Sequence, residues 1–414
     1  MKVRAKKALI AVGLLVFSFS FLKPQTSAPD VKIKTATGYY NRALAEFSYQ
    51  NVQTAIDNLT KAIELRPDYA DALSYRGYFY HLNNQNEKSI NDYLAANKIK
   101  NNINGYFIAV PYALTGKKDE AFKWLEMAFT GPENKPSMAA VMNDKELESL
   151  HSDARWTALI KKEWFSEYEK LINDGNNKTN ANDLAAALEI WNKAVALDPK
   201  QAAAYDARAI NYLRQGNAEK AVKDLTEAIK LKPENSSYYG NRAYMYKELK
   251  KYTEALADYN KAIELDPQNM IYAERAMVKE KLNSKDASVA DDFKTHLDAF
   301  YKDDFYAFFL GSNYFLNNNM PDAITYLSNA IAIKGEAEYY KLRGKAYFIN
   351  KNFEKALTDF DVAVSLKPED GEAWYFRGTT RGEQRNRDGA CADWRKAVSL
   401  GYQDSNGYIN SICK

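Results

Sequence analysis

Residues 202–269 repeat themselves. Moved along by 34 positions, the segment meets its own copy: Tyr205 falls on Tyr239, Arg208 on Arg242, Ala209 on Ala243 and Tyr212 on Tyr246. Beyond these, Ala221 falls on Ala255, Asp224 on Asp258, Ala228 on Ala262, Ile229 on Ile263 and Pro233 on Pro267. A fixed period of this kind means a stack of like units, because one unit cannot bury both its faces whereas stacked neighbours can. Each unit reads as two amphipathic helices, about Ala202–Gln215 and Ala218–Leu231, with Gly216-Asn217 as the turn and Pro233 as the stop. Ala209, Ala221 and Ala228 are small where helix backbones must approach, and Tyr205, Tyr212 and Leu225 fill the space beside them.

This pattern, aromatic-x2-Arg-Ala-x2-Tyr followed by the Ala, Leu, Ala and Pro positions, resembles the tetratricopeptide repeat. The resemblance implies an all-α fold, a right-handed α-solenoid of about ten helical hairpins with a C-terminal capping segment. It extends in both directions. A first block over 28–131 holds copies marked by Tyr39, Ala43, Phe47, Ala55, Leu59, Ala62 and Pro67, then by Gly77, Tyr80, Tyr93 and Ala96. A third copy carries Ala109, Tyr112, Ala121, Leu125 and Ala128, with Pro111 expected to kink or shorten its first helix. Residues 132–167 break the phase. Met138–Leu150 and Ala154–Leu171 keep helical spacing, and Asn143–Leu159 resembles the tail that closes many such arrays; a cap and a degenerate pair both fit, and a junction with a change of direction is expected. Asn173–Asp183 reads as a polar loop. A second block over 168–400 resumes with copies starting near 168, 202, 236, 270, 304, 337 and 371, and 401–414 is left as the terminal cap.

Met1–Lys7 is basic and Ala8–Leu22 is apolar, which is the layout of a signal peptide over 1–27 and is short for a membrane span. The chain is therefore expected to be exported, periplasmic or secreted, or else anchored by an uncleaved N-terminal segment. Of 57 basic and 54 acidic residues, five bases and no acid fall in those first 27, so the remainder carries 52 against 54, a net −2. Such a balance argues against non-specific nucleic-acid binding, which needs a basic face.

Residues suited to catalysis are sparse. His81, His151 and His296 stand far apart, and no phosphate-binding loop, metal-binding helix motif or nucleophile elbow occurs. No cofactor and no enzymatic activity are expected. Cys391 and Cys413 fit a disulfide joining the cap to the last repeat in an exported chain, with two buried thiols as the alternative. Arg and Asp recur sixteen apart at Arg76/Asp92, Arg208/Asp224, Arg242/Asp258, Arg275/Asp291, Arg343/Asp359 and Arg377/Asp393, and both become apolar at Ile108/Trp124 and Leu310/Tyr326. Arg42/Asn58 is half a departure. Paired loss within one chain implies structural ion pairs, within a repeat or across neighbours.

The family resemblance also implies where a partner would bind, since such arrays generally use the groove lined by their first helices. Repeat position puts Tyr78, His81, Tyr244, Phe305, Phe308, Phe315, Lys341, Lys345, Phe348 and Tyr375 there. The Lys and Asn of the two-carboxylate clamp in chaperone-binding members are replaced by Tyr40/Leu44, Ser74/Tyr78, Asp206/Ile210 and Lys341/Lys345, which disfavours a chaperone tail. The expected function is a non-catalytic scaffold for a protein or peptide partner with bulky apolar anchors; the alternative is a cell-envelope assembly or transport component without a defined peptide ligand. The aromatics have a second reading, in which they only pack against adjacent helices.

Overall fold

The computed structural model describes residues 35–100, 105–131, 135–267, 269–283, 286 and 288–413; the expected export segment over 1–27 lies outside them. Within that range the chain is an all-α solenoid. Three hairpins come first: α1 (Ala36–Ser48) with α2 (Val52–Leu65), α3 (Ala70–Leu82) with α4 (Asn86–Ile99), and α5 (Gly105–Leu114) with α6 (Lys118–Thr130). A break follows, holding α7 (Met138–Met142), a 3-10 segment (Lys145–Leu150) and α8 (Ala154–Lys161). The next hairpins are α9 (Glu167–Asn180) with α10 (Leu184–Leu197), α11 (Ala202–Arg214) with α12 (Ala218–Leu231), and α13 (Ser236–Glu248) with α14 (Tyr252–Leu265). Four more complete the array: α15 (Asn269–Leu282) with α16 (Ser288–Ala299), α17 (Asp304–Leu316) with α18 (Met320–Ile333), α19 (Ala337–Ile349) with α20 (Phe353–Leu366), and α21 (Gly371–Glu383) with α22 (Arg387–Ser399). A 3-10 turn (Gln403–Ser405) and α23 (Asn406–Ile412) cap the end. Among the described residues there is no strand and no helix long and apolar enough to cross a membrane.

One packing rule runs through nine of the ten hairpins. A small residue on the first helix meets a large one on the second, sixteen residues on: Ala43/Leu59, Gly77/Tyr93, Ala109/Leu125, Gly175/Trp191, Ala209/Leu225, Ala243/Tyr259, Gly311/Leu327, Gly344/Phe360 and Gly378/Trp394. The approach is tight enough to demand glycine in places: a Cβ on Gly175 would stand 2.7 Å from the Trp191 ring. Residues 173–180, expected as a loop, are thus the end of helix α9, held helical by that close approach and by the capping box of Ser166 and Glu169 at its start.

The Arg–Asp recurrence is a ladder of two-pronged ion pairs. In the α13–α14 hairpin Arg242 donates from Nε and Nη2 to Asp258 at 2.7 and 2.8 Å, and from Nη1 to the Thr226 hydroxyl of the preceding hairpin at 3.1 Å. Arg76, Arg208, Arg343 and Arg377 do the same, reaching back to Thr60, Asn192, Ser328 and Asp361. Each arginine therefore ties its own hairpin together and stitches it to the one before. The seventh hairpin corrects the expected register: Arg275 pairs with Asp292 at 2.6 and 2.9 Å, while Asp291 is exposed. Its packing pair, Ala276/Phe293, is displaced by the same single residue, because the connection from α15 to α16 is longer than that from α13 to α14.

Residues 138–165 do not form the two long helices that their spacing suggested. The short elements fold back instead, and Val141, Leu147, Leu150, Trp156, Leu159 and Trp164 complete the core of α5 and α6. Pro111 lies inside α5, which spans ten residues where most first helices span thirteen. At the other end a disulfide joins Cys391 on α22 to Cys413, and Tyr408 stacks on Trp394 at 4.8 Å.

The array also touches itself. Helix α1 packs against α16, although their sequences lie some 250 residues apart. Arg42, lacking an aspartate at position 58, donates through Nε to the Asp298 carbonyl at 2.9 Å and lies 4.5 Å over the Tyr301 ring. Tyr49 meets Tyr301 edge-on at 5.6 Å, and its hydroxyl accepts from the Lys302 amide at 3.3 Å. As a result Arg42 and Glu46 are only 5% and 2% exposed.

Candidate protein-binding face

First helices of successive hairpins touch one another, α9 with α11, α13 with α15, α17 with α19, and α19 with α21. They therefore form the tighter, inner side of the curve. Polar bonds bridge this side from hairpin to hairpin. Asn241 donates to Asp206 at 3.0 Å, Lys247 pairs with Glu274 at 2.6 Å, Tyr306 donates to Glu274 at 3.0 Å, and Tyr339 donates to Asp304 at 2.8 Å. Burial pushes the Asp206 carboxyl up to about 6, against the lowering effect of the Asn241 amide.

The densest polar cluster surrounds Lys341, which is 7% exposed. Its ammonium lies 2.9 Å from Asp370, 2.9 Å from Glu372 and 3.0 Å from Glu338, and Lys345 shares Glu372 at 2.9 Å. Burial works against the Lys341 charge, but these carboxylates outweigh it and hold the ammonium well above its ordinary range. A cleft of about 490 Å³ lies beside it, reaching Gly371, Gly401 and Tyr402. The lysines expected to face a ligand are thus engaged by neighbouring hairpins.

Most of the aromatic candidates are likewise shared with adjacent helices. Phe308 stacks on Tyr339 at 4.7 Å, Phe315 packs into the core under α17, Phe348 lies against Phe353 and Phe376, and Tyr375 against Tyr402 and Tyr408. Tyr244 carries Lys247 over its ring at 4.4 Å. Tyr78 meets Phe47 at 6.0 Å, and burial with nearby Glu146 pushes its hydroxyl up to about 12. His81 binds Glu146 of the 3-10 segment at 3.0 Å, so it anchors the fold-back to the second hairpin. Phe305 differs. It is 48% exposed on the first turn of α17, with its ring against Phe309 at 4.7 Å and Tyr306 at 5.2 Å. Among the described residues no group of His, Cys, Asp and Glu is arranged to hold a metal.

Four segments of the chain match models of the tetratricopeptide repeat: 236–269 matches one, 202–235 and 337–370 a second, and 58–91 a third. These segments are tetratricopeptide repeats. The match over 58–91 begins within α2 and ends within α4, out of phase with the hairpins, while the other three coincide with α11–α12, α13–α14 and α19–α20. Among solved structures the chain is similar to a tetratricopeptide repeat protein from Parabacteroides merdae, at 22% identity and a TM-score of 0.41, over 60% of this chain and 99% of that one. It is also similar to the C-terminal part of a repeat-containing protein from Cytophaga hutchinsonii, at 16% identity and a TM-score of 0.48, over 55% and 94%. Yeast Tom70 aligns over 91% of this chain and 95% of its own, at 15% identity and a TM-score of 0.35.

The cross-hairpin ligation of the inner face was missed by the sequence reading, although Asn241 and Asp206 stand 35 residues apart, and Tyr339 and Asp304 also 35. A period of 34 plus or minus a few residues marks first-helix neighbours, and that spacing was the available signal.

Proposed function

We propose that this protein is a non-catalytic scaffold that holds an extended or helical segment of a protein partner against the inner face of α17, α19 and α21. The observation that carries it is Phe305, a large aromatic half in solvent on a face whose other rings are spent on packing. Half-exposed aromatics rimmed by charge suit an apolar anchor from a partner, since flat rings bury much area with little loss of freedom. Asp304, Glu338 and Glu372 lie along the same face. Capture of partner from an envelope extract by the Phe305→Ala variant should fall about tenfold or more, as for a central anchor, with helicity unchanged. Equal capture by both forms would refute the assignment. Export is part of the proposal, supported by the sequence of Met1–Leu22 and by the Cys391–Cys413 disulfide, a bond that persists in oxidising compartments; cell fractionation with the protein in the cytoplasm would contradict it. The alternative of an assembly component with no peptide ligand draws its support from the packed state of Phe308, Phe348 and Tyr375.

A further inference from the structure

We infer that the contact between α1 and the corner after α16 is a releasable latch, which closes the first seven hairpins over their own inner face. The two hairpins that meet there are the two that break the Arg–Asp pattern in a particular way. In the first, Asn58 replaces the aspartate, so Arg42 is free of its own hairpin and reaches Asp298 and Tyr301 instead. In the seventh, the ladder is shifted by one residue, to Asp292. That shift alters the register of α16, the helix that delivers Asp298, Tyr301 and Lys302 to the contact. Elsewhere the arginine itself is missing, with both partners apolar at 108/124 and 310/326 and with Asp174 and Ile190 in those positions of the fourth hairpin.

The chemistry of the contact is also unlike that between consecutive hairpins. Neighbouring hairpins share apolar cores of Ala, Leu and aromatic side chains. Across the closure, the core around α1 and α3 and the core around α15 to α18 remain separate. Among the contacts that cross are a guanidinium on a carbonyl, a phenol on an amide, the Tyr301 hydroxyl on Glu46, the edge-on rings of Tyr49 and Tyr301, and the cations of Arg42 and Lys302 over the Tyr301 and Tyr49 rings at 4.5 and 4.9 Å. Groups of this kind can exchange their partners for water on opening, so the net gain from each is modest. The closure is therefore held by polar and cation–ring contacts with no apolar core of its own, and it opens before the hairpin cores do. Opening exposes Arg42 and Glu46 without uncovering a core, because Tyr40 and Phe47 stay packed on the rings of Tyr69, Tyr75, Tyr78 and Phe79.

The full chain with its native disulfide, carrying spin labels on Gln53→Cys and Asp291→Cys, tests this; both positions are exposed, on α2 and α16. With the latch intact a single narrow distance is expected. Adding Arg42→Ala and Tyr301→Ala should raise the longer-distance fraction about tenfold or more, the worth of one charge-assisted hydrogen bond, with helicity retained. A distance distribution unmoved by both substitutions would overturn the inference. In case those substitutions compromise folding, the labelled chain without them is followed in low urea. Lengthening before helicity falls supports the latch, and distance and helicity changing together overturns it.

Discussion

The ion-pair ladder makes a quantitative prediction at Arg242 and Asp258. Their side chains are 17% and 9% exposed, and two hydrogen bonds of 2.7 and 2.8 Å join them. Replacing Asp258 by Tyr leaves the guanidinium with the Thr226 hydroxyl at 3.1 Å and the rings of Tyr239 and Tyr246, and replacing Arg242 by Leu leaves the buried Asp258 carboxylate without its cation. Breaking a fully buried pair costs about 3–5 kcal/mol, and the remaining solvent contact here brings the expectation to about 2–3 kcal/mol for either single variant. Making both changes recreates the Leu310/Tyr326 pair that the chain already carries one hairpin beyond the register shift. With no charge left uncompensated, the double variant should lose only about 1 kcal/mol, so the coupling is about 3 kcal/mol or somewhat more. Because repeat arrays unfold in parts, urea melts should be joined to hydrogen exchange resolved over α13 and α14. Additive single and double variants, with coupling near zero, would refute the reading of these pairs as mutually dependent.

Three other predictions follow from the packing. Gly175→Ala would place a Cβ 2.7 Å from Trp191 and should destabilise the α9–α10 hairpin by about 1–3 kcal/mol, seen as faster exchange of its amides; unchanged exchange would contradict the close approach. Reducing Cys391–Cys413, which closes a sequence separation of 22 residues, should loosen the cap by about 3 kcal/mol and open residues 402–413 to limited proteolysis while the array stays helical; an unchanged cleavage pattern would count against it. Burial lowers the affinity of His81 for its proton, but the hydrogen bond and charge of Glu146 outweigh this and raise its folded pKa above the unfolded value. The sign is fixed by linkage: the stabilisation is fully present below the unfolded pKa of about 6.5 and is lost as pH rises through the folded value. Protection of the 3-10 segment should fall over that range, and His81→Gln should abolish the dependence.

The repeats were legible because stacking imposes the same demand on every copy, so Tyr, Arg, Ala and Pro return at fixed spacing. Helices α11 and α12 end within a residue or so of where Gly216 and Pro233 placed them. Legibility failed where a local contact replaced the consensus. The polar composition of 173–180 hid a helix whose requirement was a single glycine sixteen residues before Trp191. Spacing in 138–171 showed an apolar face, yet gave no sign that short elements would fold back onto α5 and α6. Inward-facing positions were assigned by repeat number, whereas exposure depends on what the next hairpin presents: Tyr339 covers Phe308, and nothing comparable covers Phe305. The closure of α1 on α16 left one trace in the sequence, the unmatched Arg42/Asn58, whose meaning lay some 250 residues away.

Site-resolved photo-crosslinking in intact cells tests whether the inner face at α17 receives a protein partner. A photoreactive phenylalanine analogue is placed at position 305 and, as the outer-face control, at Glu354, which is exposed on the first turn of α20. A discrete crosslinked protein is expected from position 305 and absent from position 354. No adduct from position 305, or the same adducts from both positions, would contradict it.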